Sequence, residues 1–180
     1  MKQFVFIGLI AVAALVGCDK KAVPPAPTPM PAPVAARGQL PEPTHAQGTL
    51  PTIHLWIGPE DLTAEMARTD EQVMTGMMFR TNLDEMKGMI FVFPGAWRPG
   101  FWMKNCPLPL SCAYINPDGT IAEIHPLNAN DTNAVVADSN QIQFVLEVNQ
   151  GWFDRHHIKP GTVVRTQVGT LLETFIRRNQ

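Results

Sequence analysis

The chain has 180 residues, 45% of them hydrophobic, and carries 14 basic and 16 acidic residues for a formal net charge of −2. That balance, with no basic run or stripe, excludes an electrostatic footprint for nucleic acid. No apolar run reaches the roughly 20 residues that cross a bilayer as a helix.

In chain order, Lys2 and the uncharged run Phe4 to Val16 read as a short positive region and the apolar segment of a signal peptide. Leu15-Val16-Gly17-Cys18 follows the pattern of a bacterial lipobox. A signal peptide over 1–17 and lipidation of Cys18 are therefore expected, and two or more acyl chains hold a protein durably on a membrane. Asp19 leans the sorting toward the inner rather than the outer membrane, so the expected location is periplasmic and membrane-anchored. Residues 18–51 then carry the lipidated cysteine and a tether. Nine prolines lie between residues 22 and 51, among Ala, Thr and Gly. Such a stretch offers little apolar surface to offset its ordering entropy and favours extended polyproline II.

One globular domain is expected over 52–180. Ile53–Ile57 alternates as a strand and stops at Gly58-Pro59; Leu62–Ala67 is a second strand. Thr69-Asp70-Glu71-Gln72 has the form of a capping box, opening a short helix through Val73, Met74, Met77 and Met78. Strands are expected at Lys87–Phe93 and Phe101–Asn105. Leu110–Asn116 and Thr120–His125 form a hairpin joined by Asn116-Pro117-Asp118-Gly119. Gln141–Val148 is a strand, Gln150–His157 one or two helical turns, Thr162–Val168 a strand, and the last ten residues a frayed helix. The fold class this predicts is α+β and β-rich: a compact curled antiparallel sheet or small barrel with one or two short helices.

Six strings occur in one order: Gly76-Met77-Met78-Phe79-Arg80, Gly88-Met89-Ile90-Phe91-Val92-Phe93, Phe101-Trp102-Met103-Lys104-Asn105, Pro117-Asp118-Gly119-Thr120-Ile121, Val145-Leu146-Glu147-Val148 and Ile158-Lys159-Pro160-Gly161. Together they resemble the DUF192 (UPF0127) family over about residues 53–167. The resemblance implies a small β-rich fold and brings no activity with it, because the family's function is unknown. Two positions depart from the family pattern. Cys106 stands where the family usually has threonine, and Ser111 where it usually has aspartate.

With Cys18 assigned to lipid, Cys106 and Cys112 remain. An even pair outside the cytoplasm can form a disulfide; the alternative is two small apolar residues, one turned into the core. The dense methionines between Met66 and Met103 suit core packing first, with soft-metal binding the lesser alternative. No metal or cofactor is expected, since there is no His-x-x-x-His spacing, no Gly-x-Ser-x-Gly and no phosphate loop. On an alternating strand Trp102 and Lys104 share one face. With Trp97 in the adjacent loop, Asn105 and Arg80, they make the candidate ligand groove, in which an indole stacks on an apolar ligand and a cation holds an anionic group. Glu147 is in phase with Val145, and pairing with Arg80 would give it a buried network.

The leading expectation is a non-enzymatic, membrane-anchored binding or accessory domain for a small molecule or envelope saccharide. Two alternatives stand beside it. One is a hydrolase or transferase on an envelope polymer using Glu147, His125 or Asp118 with Arg80 or Lys104; the other is a structural interaction module.

Overall fold

Gly58 and Pro59 turn the chain between strands β1 (Thr52–Ile57) and β2 (Glu60–Ala67), an antiparallel pair in which Leu55 lies opposite Leu62. The turn needs a positive φ, and Gly58 supplies it at 59°. In this computed structural model, residues 40–176 are described. The leader over 1–17, Cys18 and the tether through residue 39 lie outside the described residues.

β2 pairs with β3 (Lys87–Trp97) in parallel, Ala64 opposite Gly88. Parallel neighbours need a crossover rather than a hairpin. Residues 68–86 provide it, including helix α1 (Asp70–Thr75). Its capping box is formed as the sequence predicts: Gln72 N–H donates to the Thr69 side chain, and the Gln72 side chain accepts from Thr69 N–H. The helix ends sooner than predicted, because Gly76 caps it at φ 44° and leaves Met77 and Met78 in the following turn.

Strands β4 (Gly100–Phe101), β5 (Leu110–Ile115), β6 (Ile121–Leu127), β7 (Val135–Val136) and β8 (Ile142–Asn149) follow. Helix α2 (Trp152–Arg155), strands β9 (Val164–Thr166) and β10 (Gly169–Thr170) and helix α3 (Leu171–Phe175) complete the described chain. The main sheet runs β10-β9-β1-β2-β3-β8-β5-β6, and β4 pairs with β7 in a separate ribbon. The β5–β6 turn is the one predicted: Asp118 Oδ1 accepts from Thr120 N–H at 2.8 Å, and Gly119 sits at φ 91°.

The β-rich α+β fold stands, with three refinements. The sheet is mixed, because of the β2–β3 crossover. It is curled without closing: the start of β6 meets the start of β9 only through the Thr120–Val163 bridge and neighbouring backbone hydrogen bonds such as Ile121 N–H to the Thr162 carbonyl at 2.9 Å. The described residues form three short helices rather than one or two. The predicted strand Phe101–Asn105 is a strand only at Gly100–Phe101. Asn105 takes φ 57° and turns the chain, its carbonyl accepting from Phe79 N–H at 2.7 Å.

The central strands are buried on both faces. On one face Leu62, Ile90, Ala113 and Leu146 pack against Trp152 and Phe153 of α2 and Leu171 and Phe175 of α3. On the other, Met89, Phe91, Tyr114 and Val145 pack under Phe101, Met103 and Cys106, with Val73 of α1 alongside. Each fully buried large apolar side chain contributes roughly 1.5–3 kcal/mol. Gly88 lets β3 approach β8, because a Cβ there would lie 2.6 Å from the Glu147 carbonyl oxygen.

The end of the proline-bearing stretch lies along the domain. The Gln47 side chain donates to the carbonyls of Gln72 and Gly76 at the end of α1, at 3.2 and 2.8 Å. Leu50 N–H donates to Glu65, and the Leu50 side chain packs on the second core cluster. Among the described residues no helix is long and apolar enough to cross a membrane.

Candidate functional site

β8 alternates from Phe144 onward, with Phe144, Leu146 and Val148 toward the α2–α3 layer. Val145 and Glu147 therefore face the opposite layer, where Val145 packs. In register, Glu147 stands between Met89 of β3 and Cys112 of β5. It is 4% exposed and has no hydrogen-bond or ion-pair partner among the described residues. Loss of hydration pushes its carboxyl up to about 8, so at neutral pH it mostly holds its proton. Burying an unpaired carboxylate costs several kcal/mol.

Glu147 lines a cavity of about 60 Å³, with Phe91, Phe101 and Trp102 among its walls. Met77, Met78, Met103 and Cys106 also border it. The wall nearest α1 depends on Gly76, where a Cβ would come within 3.3 Å of the Phe91 ring. Phe91 and Phe101 meet edge to face at 4.8 Å. The Tyr114 hydroxyl, on the same layer, donates to the Val135 carbonyl and ties β5 to β7.

The predicted ligand residues separate into four environments. Trp102 and Lys104 do come together, with the ammonium 5.6 Å from the indole ring. Their groove, about 200 Å³, is walled by Leu40, Glu42 and Pro43 of the same chain, and Lys104 pairs with Glu42 at 2.5 Å. Arg80 lies elsewhere, in a two-pronged pair with Glu65 at 2.5 and 2.8 Å. Arg80 therefore does not pair with Glu147, because the β2–β3 crossover brings Glu65 to the guanidinium. Burial works to raise the Glu65 carboxyl, but the Arg80 and Leu50 hydrogen bonds outweigh it and hold it below its ordinary range. Trp97 packs edge-on against Phe93 at 5.2 Å. Asn105 shapes the turn between Met103 and Cys106, both of which line the cavity.

Cys106 and Cys112 are buried free thiols rather than a disulfide. Cys112 is fixed in the middle of β5, opposite His125 and Glu147. Cys106 belongs to the turn, where its Sγ is 3.7 Å from the Leu108 carbonyl. Burial, with Glu147 adding, raises the Cys106 thiol to about 11 and lifts Cys112 as well. Neither is a thiolate nucleophile at neutral pH. Ser111, where the family usually has aspartate, accepts from Gly151 N–H at 3.0 Å; it keeps an acceptor there without the charge. Cys106, the other departure, lies in the pocket wall.

The groups proposed for catalysis do not converge. Asp118 serves its turn. His125 bonds Glu123 at 2.9 Å, and Glu123 in turn accepts from Asp138 and Ser139 N–H. Neither lines the Glu147 cavity. No cluster of three or more His, Cys, Asp or Glu able to hold a metal occurs among the described residues.

The DUF192 family profile, described as "Uncharacterized ACR, COG1430", matches residues 54–166. Two solved structures share the fold. One is a protein of Sinorhizobium meliloti 1021 named as a candidate transcription regulator: 28% identical, TM-score 0.64, covering 67% of this chain and 98% of that one. The other is a protein of unknown function from Novosphingobium aromaticivorans DSM 12444: 30% identical, TM-score 0.60, covering 64% of this chain and 86% of that one. No curated protein matches the chain.

Proposed function

The chain belongs to the DUF192 family, and on that premise we propose that it is a membrane-anchored periplasmic lipoprotein whose domain binds a small molecule in the Glu147 pocket. The observation that carries the binding reading is a buried, partnerless carboxyl lining an open cavity. Such a group is costly unless something arrives to meet it, and perturbed carboxyls in clefts mark functional sites. Among the described residues no second carboxylate, His or Lys lines the cavity with Glu147, which favours binding over hydrolysis or transfer. The regulator role named for the Sinorhizobium relative does not carry over. DNA reading needs a basic patch or stripe; the chain has a net charge of −2, and four of the eight described Arg and Lys side chains, Arg80, Lys87, Lys104 and Arg155, face a carboxylate.

Anchoring rests on Lys2, the Phe4–Val16 run and Leu15-Val16-Gly17-Cys18, with Asp19 favouring the inner membrane. Cys18→Ser is expected to abolish lipidation and release the protein or leave it unprocessed, read by mass spectrometry and membrane fractionation. Continued processing and membrane retention of the variant would refute the anchor. For the pocket, a small-molecule screen on the full chain in detergent follows the Trp102 indole N–H signal by NMR, assigned with Trp102→Phe. Hits are expected to lose affinity at least tenfold in Glu147→Gln. A screen in which no compound shifts that signal refutes the pocket.

A further inference from the structure

The composition of the pocket wall constrains what enters it. Among the described residues, the only ionisable side chain lining the cavity besides Glu147 is Cys106, and no cation lines it. An anionic ligand would therefore meet a carboxyl with nothing to balance it. Size excludes a second class. An apolar cavity of roughly 150 Å³ holds benzene, so a cavity of about 60 Å³ takes a chain end rather than a sugar or aromatic ring. A neutral chain end would leave Glu147 with one ordinary hydrogen bond. A positive one converts the unpaired group into an ion pair inside a low-dielectric site, where that attraction is strongest. Phe91, Phe101 and Trp102 add aromatic rings to the wall, a residue type whose faces attract cations, and Met77 and Met103 give apolar contact to methylene groups.

We propose that the Glu147 pocket binds a primary aliphatic amine, its ammonium head on the Glu147 carboxylate and its first methylenes against the Phe–Met–Trp wall. This rests on the pocket reading above and names its ligand class.

Proton release is the signature of this ligand. The groups facing Glu147 from the packed elements are Cys112 and Tyr114 of β5 and Cys106 of the turn after β4. All three are raised by burial, with Glu147 contributing. They stay protonated through neutral pH, while β3 and α1 present Met89, Phe91, Val73 and Met74. Only Glu147 therefore titrates in the pocket below about pH 9. With its carboxyl near 8, binding an ammonium at lower pH must displace one proton. An alkylammonium keeps its own proton to about pH 10.

The test compares n-butylamine, n-butanol and butyrate on the full chain in detergent, by Trp102 indole NMR and by calorimetry in buffers of different ionisation enthalpy. Butylamine is expected to bind at least tenfold tighter than butanol, and butyrate not to bind. Butylamine affinity is expected to rise close to tenfold from pH 6 to 7, about fivefold from 7 to 8 and then level off, with about one proton released at pH 6.5. Glu147→Gln is expected to remove both the preference and the pH dependence. Equal binding of butanol and butylamine, or pH-independent butylamine binding to the wild type, overturns the amine and leaves the pocket standing. Silence from all three probes overturns the amine; if the wider screen is silent too, the pocket falls with it.

Discussion

Glu65 and Glu147 occupy one row of the same sheet, with Met89 between them in register. Neighbouring strands lie about 4.8 Å apart, so the two backbones are roughly 10 Å from each other. Their chemistry diverges completely. Glu65 meets Arg80 on two oxygens and the Leu50 N–H besides, and its carboxyl is held low. Glu147 meets nothing and is pushed up to about 8. The same side chain is a structural tie where the chain supplies its partner and an unpaired acid in a cavity wall where the chain withholds one.

The comparison breaks first at Arg80. Arg80→Ala strands a nearly buried carboxylate and removes a pair whose side chains are 17% and 15% exposed. A loss of about 3 kcal/mol in chemical denaturation is expected, and a loss below about 1 kcal/mol would show that Glu65 is already well hydrated. The pH profile sharpens it further. The native Glu147 carboxyl titrates above its unfolded value, so the folded state holds a proton the unfolded state has released. That contribution is fully present below about pH 4.5 and is lost as pH rises toward 8, at up to about 1.4 kcal/mol per unit. Glu65, held low, acts with the opposite sign: its contribution is present above its unfolded value and lost in acid. Glu147→Gln is therefore expected to be more stable than wild type at pH 8 while binding amine worse. Denaturation midpoints from pH 5 to 8 that run parallel for the two proteins would contradict the buried, unpaired carboxyl. The smallest effect belongs to the exposed pair Lys104–Glu42, where Lys104→Ala is expected to cost about 0.5 kcal/mol.

Local grammar in the sequence explains which parts of this fold were legible. The Thr69–Gln72 capping box and the Asn116–Gly119 turn are written in adjacent residues, and both formed. Phe101–Asn105 shows the limit. Its alternation gives the right sides, with Phe101 and Met103 buried and Trp102 39% exposed. The element type was wrong, because the same alternation fits a turn that Asn105 closes. Glu147 stood out in phase with Val145, yet its isolation was invisible. It depends on a crossover that brings β2 beside β3 and gives Arg80 to a glutamate with no local signal of its own. Gln47 and Leu50 were hidden for the same reason, since their acceptors lie across the fold from a stretch whose composition reads as tether.

Leu40, Glu42 and Pro43 border Met74, Met78 and Trp102, and those three residues also border the Glu147 cavity. The chain therefore leaves the domain beside the opening of its pocket. In a chain anchored through Cys18 as proposed above, the tether would lead from the membrane to the rim of this pocket. Molecules that partition into the lipid headgroups, as long-chain amines do, would reach it from a two-dimensional reservoir. The effective concentration they present there would be set by the membrane rather than by the surrounding fluid.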